Sequence, residues 1–378
     1  MANNVKRKPV VSKVVNNDAT DDLINVLVDS VNKSLKKEDS RVTVGDDDSE
    51  YGQSVPYWVR TNIPQLDYAV GGKNHPGFPG ARITEIFGAE GSGKSTLAVW
   101  LIKCFIDQMN TFVVYQDAEN VLTKEIIKGT GLNMKRVVLQ NPDTLEDAFQ
   151  TQEAMLDTLE KQAEKGEKKP IACVLDSVAA CPTEAEIDAD YGDATVATQA
   201  RMMSKALKKI KTRILNDQVL SVFVNQIRDK MNVSWGKTYT TSGGRALPFY
   251  ASVRIEMTRT GYVKGGNGVP NAGTYKATVI KNKVSPPMKT AEFQIDYIED
   301  ENGNSYPKIN VNLALLNWCK SNGLLGGSQG RVEIKGKSYY FKDADALLAG
   351  NKALFDEIVE LAYSVGDGVY SDSDEDDE

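Results

Sequence analysis

The 378-residue chain has one histidine and four cysteines, the side chains on which most nucleophilic and zinc chemistry depends. His75 lies in a His-Pro-Gly turn, so a Ser-His-Asp hydrolase, a Cys-His protease or a His-built zinc site would each hang on that one residue. Cys104, Cys173, Cys181 and Cys319 are far apart, form no C-x-x-C pair and fall in or beside apolar stretches. They read as reduced core thiols of a cytosol-like compartment. No apolar run approaches the roughly 18 residues of a membrane span, and residues 1–17 are polar and basic rather than a signal sequence. We therefore expect a cytoplasmic protein with no membrane partner.

Acids outnumber Lys and Arg, 52 to 45, but unevenly. Six of them (Asp372, Asp374, Glu375, Asp376, Asp377, Glu378) crowd the last eight residues, and without these the net charge of −7 becomes −1. Like charges at this density repel and resist folding. Such a tail serves solubility, or competes with nucleic acid for a basic surface on the same protein.

Residues 1–20 lack periodicity and read as a disordered start. From Asp21, DDLINVLVDSVNKSL places Leu23, Ile24, Leu27, Val28, Val31 and Leu35 at helical spacing. A charged linker to about residue 56 sets this helix apart, so it needs a surface to cover, such as a neighbouring subunit. Between about 57 and 306, the apolar runs RITEIFG, TFVVYQDAE, IACVLDSVAA and VLSVFVNQI alternate with helical stretches, which predicts a mostly parallel sheet covered by helices. The runs SVRIEMTR, YKATVIKNK and EFQIDYI then predict antiparallel strands at one edge. Residues 307–368 predict a small α/β domain of helix, hairpin and helix, followed by the acidic tail, 369–378.

Gly88-Ala89-Glu90-Gly91-Ser92-Gly93-Lys94-Ser95 fits G-x-x-x-x-G-K-[ST] between a strand and a helix. Its glycines let backbone N–H groups curl around phosphate oxygens, and the helix N-terminus adds partial positive charge. Lys94 would reach the β- and γ-phosphates, and Ser95 would bind Mg²⁺. Asp176, ending IACVLD, is the natural second Mg²⁺ ligand. Glu119 ends the second strand, where ligands of parallel sheets gather, and is the candidate carboxylate for polarising water.

A third feature points to a polyanionic partner. Arg201, Lys205, Lys208 and Thr212 line one face of a helix whose other face is Met203, Ala206, Leu207, Ile210 and Ile214. Glycine-containing segments 189–196 and 229–244 flank it, the second holding Lys230, Trp235, Lys237 and Tyr239. Cations for phosphates and planar groups for bases are what single-strand binding uses.

GAEGSGKST, DAEN, VLDSVAA, AEIDADYGDATVATQARMMSKALKK, VNQIRDKMNVSWG, TTSGGRALPFYASVR, VIKNKVSPPMKTAEFQI and the acidic tail together resemble the RecA-family recombinases, from about Asp21 onward. The resemblance implies a P-loop ATPase core, an N-terminal oligomerisation helix that docks on the next protomer, and a C-terminal domain that gathers duplex DNA. It also implies ATP and Mg²⁺ as cofactors and a helical filament on single-stranded DNA that pairs with and exchanges strands with double-stranded DNA. Single-strand-binding and loader proteins would be partners. Gly88 to Thr96 and Asp176 match the nucleotide site, and Glu119 matches the water-activating glutamate. Gln226 matches a γ-phosphate sensor, while Lys281 and Lys283 match lysines that reach ATP in the adjacent subunit. Val196, Met231 and Trp235 match the DNA loops, and Arg201, Lys208, Arg228, Gly243 and Gly244 match strand-backbone contacts. Arg259 and Lys276 match a secondary DNA site.

The chain departs from the family at Ile126, where an adenine-stacking tyrosine is usual, and at Pro248, where a subunit-contact lysine is usual. Trp235 replaces a phenylalanine, the linker before Tyr57 is long, and Gly72 to Phe78 is an insertion. Drift of this kind fits a viral, such as phage-encoded, or otherwise divergent member. The rival readings are a filament mediator that exchanges no strands, a small-molecule phosphotransferase and a structural filament protein without turnover.

Overall fold

A computed structural model describes residues 17–34, 55–166, 169–190, 197–229, 239–266 and 268–367. The chain divides into a short unit, 1–54, and a large one, 55–378. In the short unit, helix α1 spans Asn17–Ser34, starting four residues ahead of the expected Asp21. Its closing Lys33 puts a cation in the last turn, where the dipole favours it. Val26 and Leu27 on it are exposed.

The large unit opens with a two-strand ribbon, β1 (Trp58–Val59) and β2 (Phe78–Pro79), around α2 (Pro64–Gly71). The insertion Gly72 to Phe78 closes this ribbon, and the His75 ring stacks on Trp58. Then follow β3 (Ile83–Gly88), α3 (Lys94–Met109), β4 (Val113–Asp117), α4 (Lys124–Thr130), β5 (Val137–Gln140), α5 (Leu145–Ala163), β6 (Ile171–Asp176), α6 (Glu184–Ile187) and α7 (Thr198–Asn216). Next come β7 (Val219–Asp229), β8 (Tyr239–Thr241), α8 (Ala246–Tyr250), β9 (Val253–Lys264), β10 (Pro270–Asn282), β11 (Thr290–Glu299) and β12 (Ser305–Ile309). These strands form one sheet in the order β12-β11-β10-β9-β3-β7-β6-β4-β5, with β8 hairpinned on β7.

β3, β4 and β6 are buried at every position, as strands covered on both faces must be. One face packs against α3, through Leu97, Leu101 and Phe105, and the other against α5 and α7, through Phe149, Leu207 and Ile210. The expected four parallel strands are present. The run SVRIEMTR differs from expectation: β9 is parallel to β3, the chain returning through β8 and α8 before it begins, and antiparallel pairing along this edge starts only at β10. β12 extends the core sheet to Ile309, across the 306/307 position drawn from the sequence.

Beyond it, α9 (Val311–Ser321), the hairpin β13 (Arg331–Ile334) and β14 (Lys337–Tyr340), α10 (Phe341–Ala349) and α11 (Lys352–Tyr363) form a small lobe with its own core of Leu315, Leu316, Val332, Leu348 and Ile358. Tyr68 of α2 joins that core, stacked on Trp318 at 4.9 Å.

Candidate nucleotide and DNA site

Between β3 and α3 the chain turns through Gly91 and Gly93, both with positive φ, and Gly93 caps α3 in the left-handed region. Gly88 is required for another reason: a Cβ there would stand 2.2 Å from the Met257 carbonyl oxygen, so only a bare backbone fits between β3 and β9. The Ala89 carbonyl gathers the loop, accepting from Ser92 Oγ and from Lys94 Nζ, each at 2.7 Å. Burial lowers the pKa of Lys94, while Glu119, Asp176 and Glu90 around it pull it back up. A cation and the N-terminus of α3, brought together by the glycine turns, are features suited to a phosphate.

Asp176 ends β6 fully buried, and its Oδ2 accepts from the Tyr115 hydroxyl at 2.8 Å. Burial pushes its carboxyl up to about 6, against the lowering influence of the Tyr115 and Ser95 hydroxyls. Its Oδ1 makes no hydrogen bond among the described residues, although it is buried. An orphaned carboxylate oxygen beside a hydroxyl offers the hard oxygen donors that Mg²⁺ takes.

Glu119 stands just past β4, next to the end of β6, as strand register requires. Its Oε1 accepts from the Gln226 amide at 2.8 Å and from the Ser177 hydroxyl. The structure thus brings Lys94, Ser95, Asp176, Glu119 and Gln226 to the carboxyl ends of adjacent parallel strands. Ile126 packs against the core of the sheet.

Lys281 and Lys283 are elsewhere. Gly88 lies opposite Met257, and Lys281 pairs with Arg254, three residues nearer the start of β9. That offset is about 10 Å along the strands, away from the phosphate loop. Lys281 donates to the Pro248 and Phe249 carbonyls at 2.7 and 2.9 Å. Arg259 and Lys276 do not share a face either. Arg259 pairs with Tyr275 and reaches the Gly91 carbonyl of the phosphate loop at 3.5 Å, whereas Lys276 pairs with Thr258 and takes the opposite side of the pleat.

The described residues that flank segments 191–196 and 230–238 are tied to this site. Gln199, opening α7, donates to the Val178 and Cys181 carbonyls and accepts from the Gly243 N–H at 3.0 Å. A Cβ on Gly244 would stand 2.6 Å from that of Ala200, so the glycine pair first serves close approach to α7. Arg228 bonds Ser242 across the β7–β8 hairpin at 2.9 Å. On α7, Met203, Ala206, Leu207, Ile210 and Ile214 are buried as the periodicity requires. Lys209 and Arg213 pair with Glu153, Asp157 and Glu160 of α5. Arg201, Lys205 and Lys208 remain exposed on the other side. Val196, Met231 and Trp235 lie outside the described residues.

Sequence reasoning missed Ser177, Asn225, Glu85 and Gln199. Of these, Glu85 carried a signal: an ionisable residue within ITEIFG, an otherwise buried strand, demands a partner.

Comparison with known proteins agrees with this geometry. The RecA N-terminal domain family matches residues 22–301. Protein RecA of Chlamydia caviae is 36% identical over 308 residues, 81% of this chain and 82% of that protein. Protein RecA of Chlamydia felis is 37% identical over 301 residues, 79% and 80% respectively. Protein RecA of Chlamydia abortus is 40% identical over 241 residues, 64% and 65%. With its phosphate loop, paired strand-end carboxylates and hairpin-rooted glutamine in place, the chain belongs to the RecA family of DNA recombination and repair proteins.

Proposed function

We propose that the chain is a single-stranded-DNA-dependent ATPase that hydrolyses ATP to ADP and phosphate within a helical filament and catalyses homologous pairing and strand exchange. The observation that carries this reading is the Glu119 carboxylate held by Gln226, a residue at the root of the hairpin that leads into 230–238. One glutamine thereby touches the group that orients the attacking water and the strand that leads to DNA.

Phosphoryl transfer asks the protein for position and charge more than for covalent chemistry. Lys94 and the N-terminus of α3 would hold the β- and γ-phosphates. Ser95 and Asp176 would hold Mg²⁺, which when bound neutralises charge on those phosphates. Glu119 aligns a water for in-line attack and takes its proton. A γ-phosphate competes for the Gln226 amide and draws it off Glu119, and the shift passes along β7 to the segment at 230–238. Lys281 and Lys283, at the other end of the sheet, would complete the site of the next protomer. Arg201, Lys205 and Lys208, with Val196, Met231 and Trp235, bind the single strand, and Arg228, Arg259 and Lys276 add further phosphate contacts. Residues 307–368 gather duplex DNA, and single-strand-binding and loader proteins would act upstream, in the bacterial cytoplasm or that of a phage-infected host. Among the described residues, no helix is long and apolar enough to cross a membrane.

The test is ATP turnover with no DNA, with single-stranded DNA and with duplex, using Glu119→Gln as control. Stimulation of about tenfold by single strands alone, abolished in the variant, supports the reading. Turnover indifferent to DNA rejects it.

A further inference from the structure

One polar row ends at Lys281 but otherwise takes no part in the chemistry above. Asn225 of β7, Glu85 of β3, Arg254 of β9 and Lys281 of β10 follow one another across four strands. Glu85 is opposite Phe223 on one side and Arg254 on the other, and Arg254 is opposite Lys281. Asn225, two residues beyond Phe223, shares its face. The Asn225 amide donates to Glu85 Oε1 at 3.0 Å, and Arg254 Nε closes on Glu85 Oε2. Glu85 and Asn225 are fully buried, and the Arg254 guanidinium lies 4.8 Å over the Phe87 ring.

The two ends of the row matter. At one, Asn225 Oδ1 accepts the Gln226 N–H at 2.9 Å, and its amide also donates to the Ser242 carbonyl, where the chain returns from 230–238. At the other, burial and the nearby Lys283 and Arg254 push Lys281 down to about 8 while two carbonyls hold its ammonium. A buried ion pair is rarely more stabilising than apolar residues of the same volume, so its place inside an apolar sheet needs another account.

We propose that Glu85 and Arg254 are positioning residues that couple the backbone at Gln226 to Lys281, so that the nucleotide state of one protomer sets how its lysine meets the next protomer's site. The proposal rests on the reading of Lys281 as an intersubunit residue. In the resting arrangement Glu85 draws Arg254 to itself and away from Lys281. A shift of Gln226 moves the Asn225 amide, and Glu85, buried away from water, must follow its partner. Arg254 then bears on Lys281 as a like charge directly opposite, and the ammonium leaves its carbonyl seat.

The experiment uses Glu85→Gln/Arg254→Met, which removes both charges together, and Arg254→Lys, which keeps a cation for Glu85. Binding of a fluorescent ATP analogue without DNA is measured beside turnover with single-stranded DNA, for each protein alone and mixed with Glu119→Gln protein, whose Lys281 is intact. We expect the double variant to bind the analogue within about twofold of the parent and to lose about tenfold or more in stimulated turnover. Mixing should restore part of it, since the variant's own catalytic half then meets an intact neighbour, and Arg254→Lys should keep most of it. Parental turnover in the double variant, parallel loss of analogue binding and turnover, or no restoration on mixing would each overturn the proposal. A parent without DNA-dependent turnover overturns the functional reading and this proposal with it.

Discussion

Asp67 allows a quantitative test of how the C-terminal lobe is held. The carboxylate is fully buried in α2 and accepts from the Thr61 N–H, at 2.8 and 3.1 Å, the Thr61 hydroxyl, at 2.7 Å, and the Tyr363 hydroxyl of α11. Arg60 lies 4.4 Å over the Tyr363 ring. Burial pushes the carboxyl up to about 7, and the hydrogen bonds and Arg60 offset only part of that. Since this folded value exceeds the unfolded one, the unfolded chain gives up its proton first as pH rises. The contribution of Asp67 to stability is therefore complete below about pH 4 and falls as pH climbs to 7. A shift from 3.8 to about 7 corresponds to about 4 kcal/mol.

Asp67→Asn removes this titration while keeping the shape of the side chain. Urea unfolding of parent and variant at half-unit steps between pH 4 and 8 isolates the effect, because groups elsewhere cancel in the difference. The parent's advantage over Asp67→Asn should shrink with slope of about 1.4 kcal/mol per pH unit across the window. Tyr363→Phe removes one hydrogen bond to the carboxylate and should cost about 2 kcal/mol near pH 8. A parent-minus-Asn difference flat in pH would refute the assignment of Asp67 as a buried carboxyl that ionises only late.

Three other outcomes follow from the site. Gln226→Ala should retain ATP binding but lose the ATP-dependent tightening on single-stranded DNA, measured by fluorescence anisotropy; normal tightening would remove glutamine from the relay. Gly244→Ala should lower stability without any DNA present, by about 1 kcal/mol for its left-handed backbone and more for the approach to Ala200, seen in urea melts. An unchanged melt would return that glycine to a purely DNA-contacting role. Deleting residues 371–378 removes six acids and should speed duplex uptake most at low salt, where charge competition is strongest; equal rates across a salt series would reduce the tail to a solubility device.

How much of this was readable beforehand follows from what each element buries. β3, β4, β6 and β7 announced themselves because strands covered on both faces need continuous apolar runs. β5 escaped notice: its VVLQ is short, and Val138 and Leu139 are exposed at the sheet edge. The direction of β9 was not legible, since α8 is only five residues long and sequence alone does not say that the chain crosses over. Lys94 could be found from the glycine-loop motif, Asp176 and Glu119 from their strand-end positions, and Gln226 from the family resemblance. Asn225 and Ser177, each one residue from a functional group, were hidden, because their work is done by contacts that only the folded sheet creates.

The separation of Lys281 from the phosphate loop also bears on assembly. In a parallel sheet the carboxyl ends of the strands face one way, so Glu119, Asp176 and Gln226 open on one end of the core. β10 runs antiparallel to β9, which sends its last residues to the opposite end. If a surface at one end completes a site at the other, the two patches differ, and the contact is heterologous. Such a contact repeats from copy to copy until rotation closes a ring, and otherwise continues as a helix. Each added protomer then brings a lysine pair to its predecessor and an open site to its successor. Under the proposed role of Lys281 and Lys283, hydrolysis becomes a property of neighbours, and the last protomer at one end of any filament is left with an incomplete site.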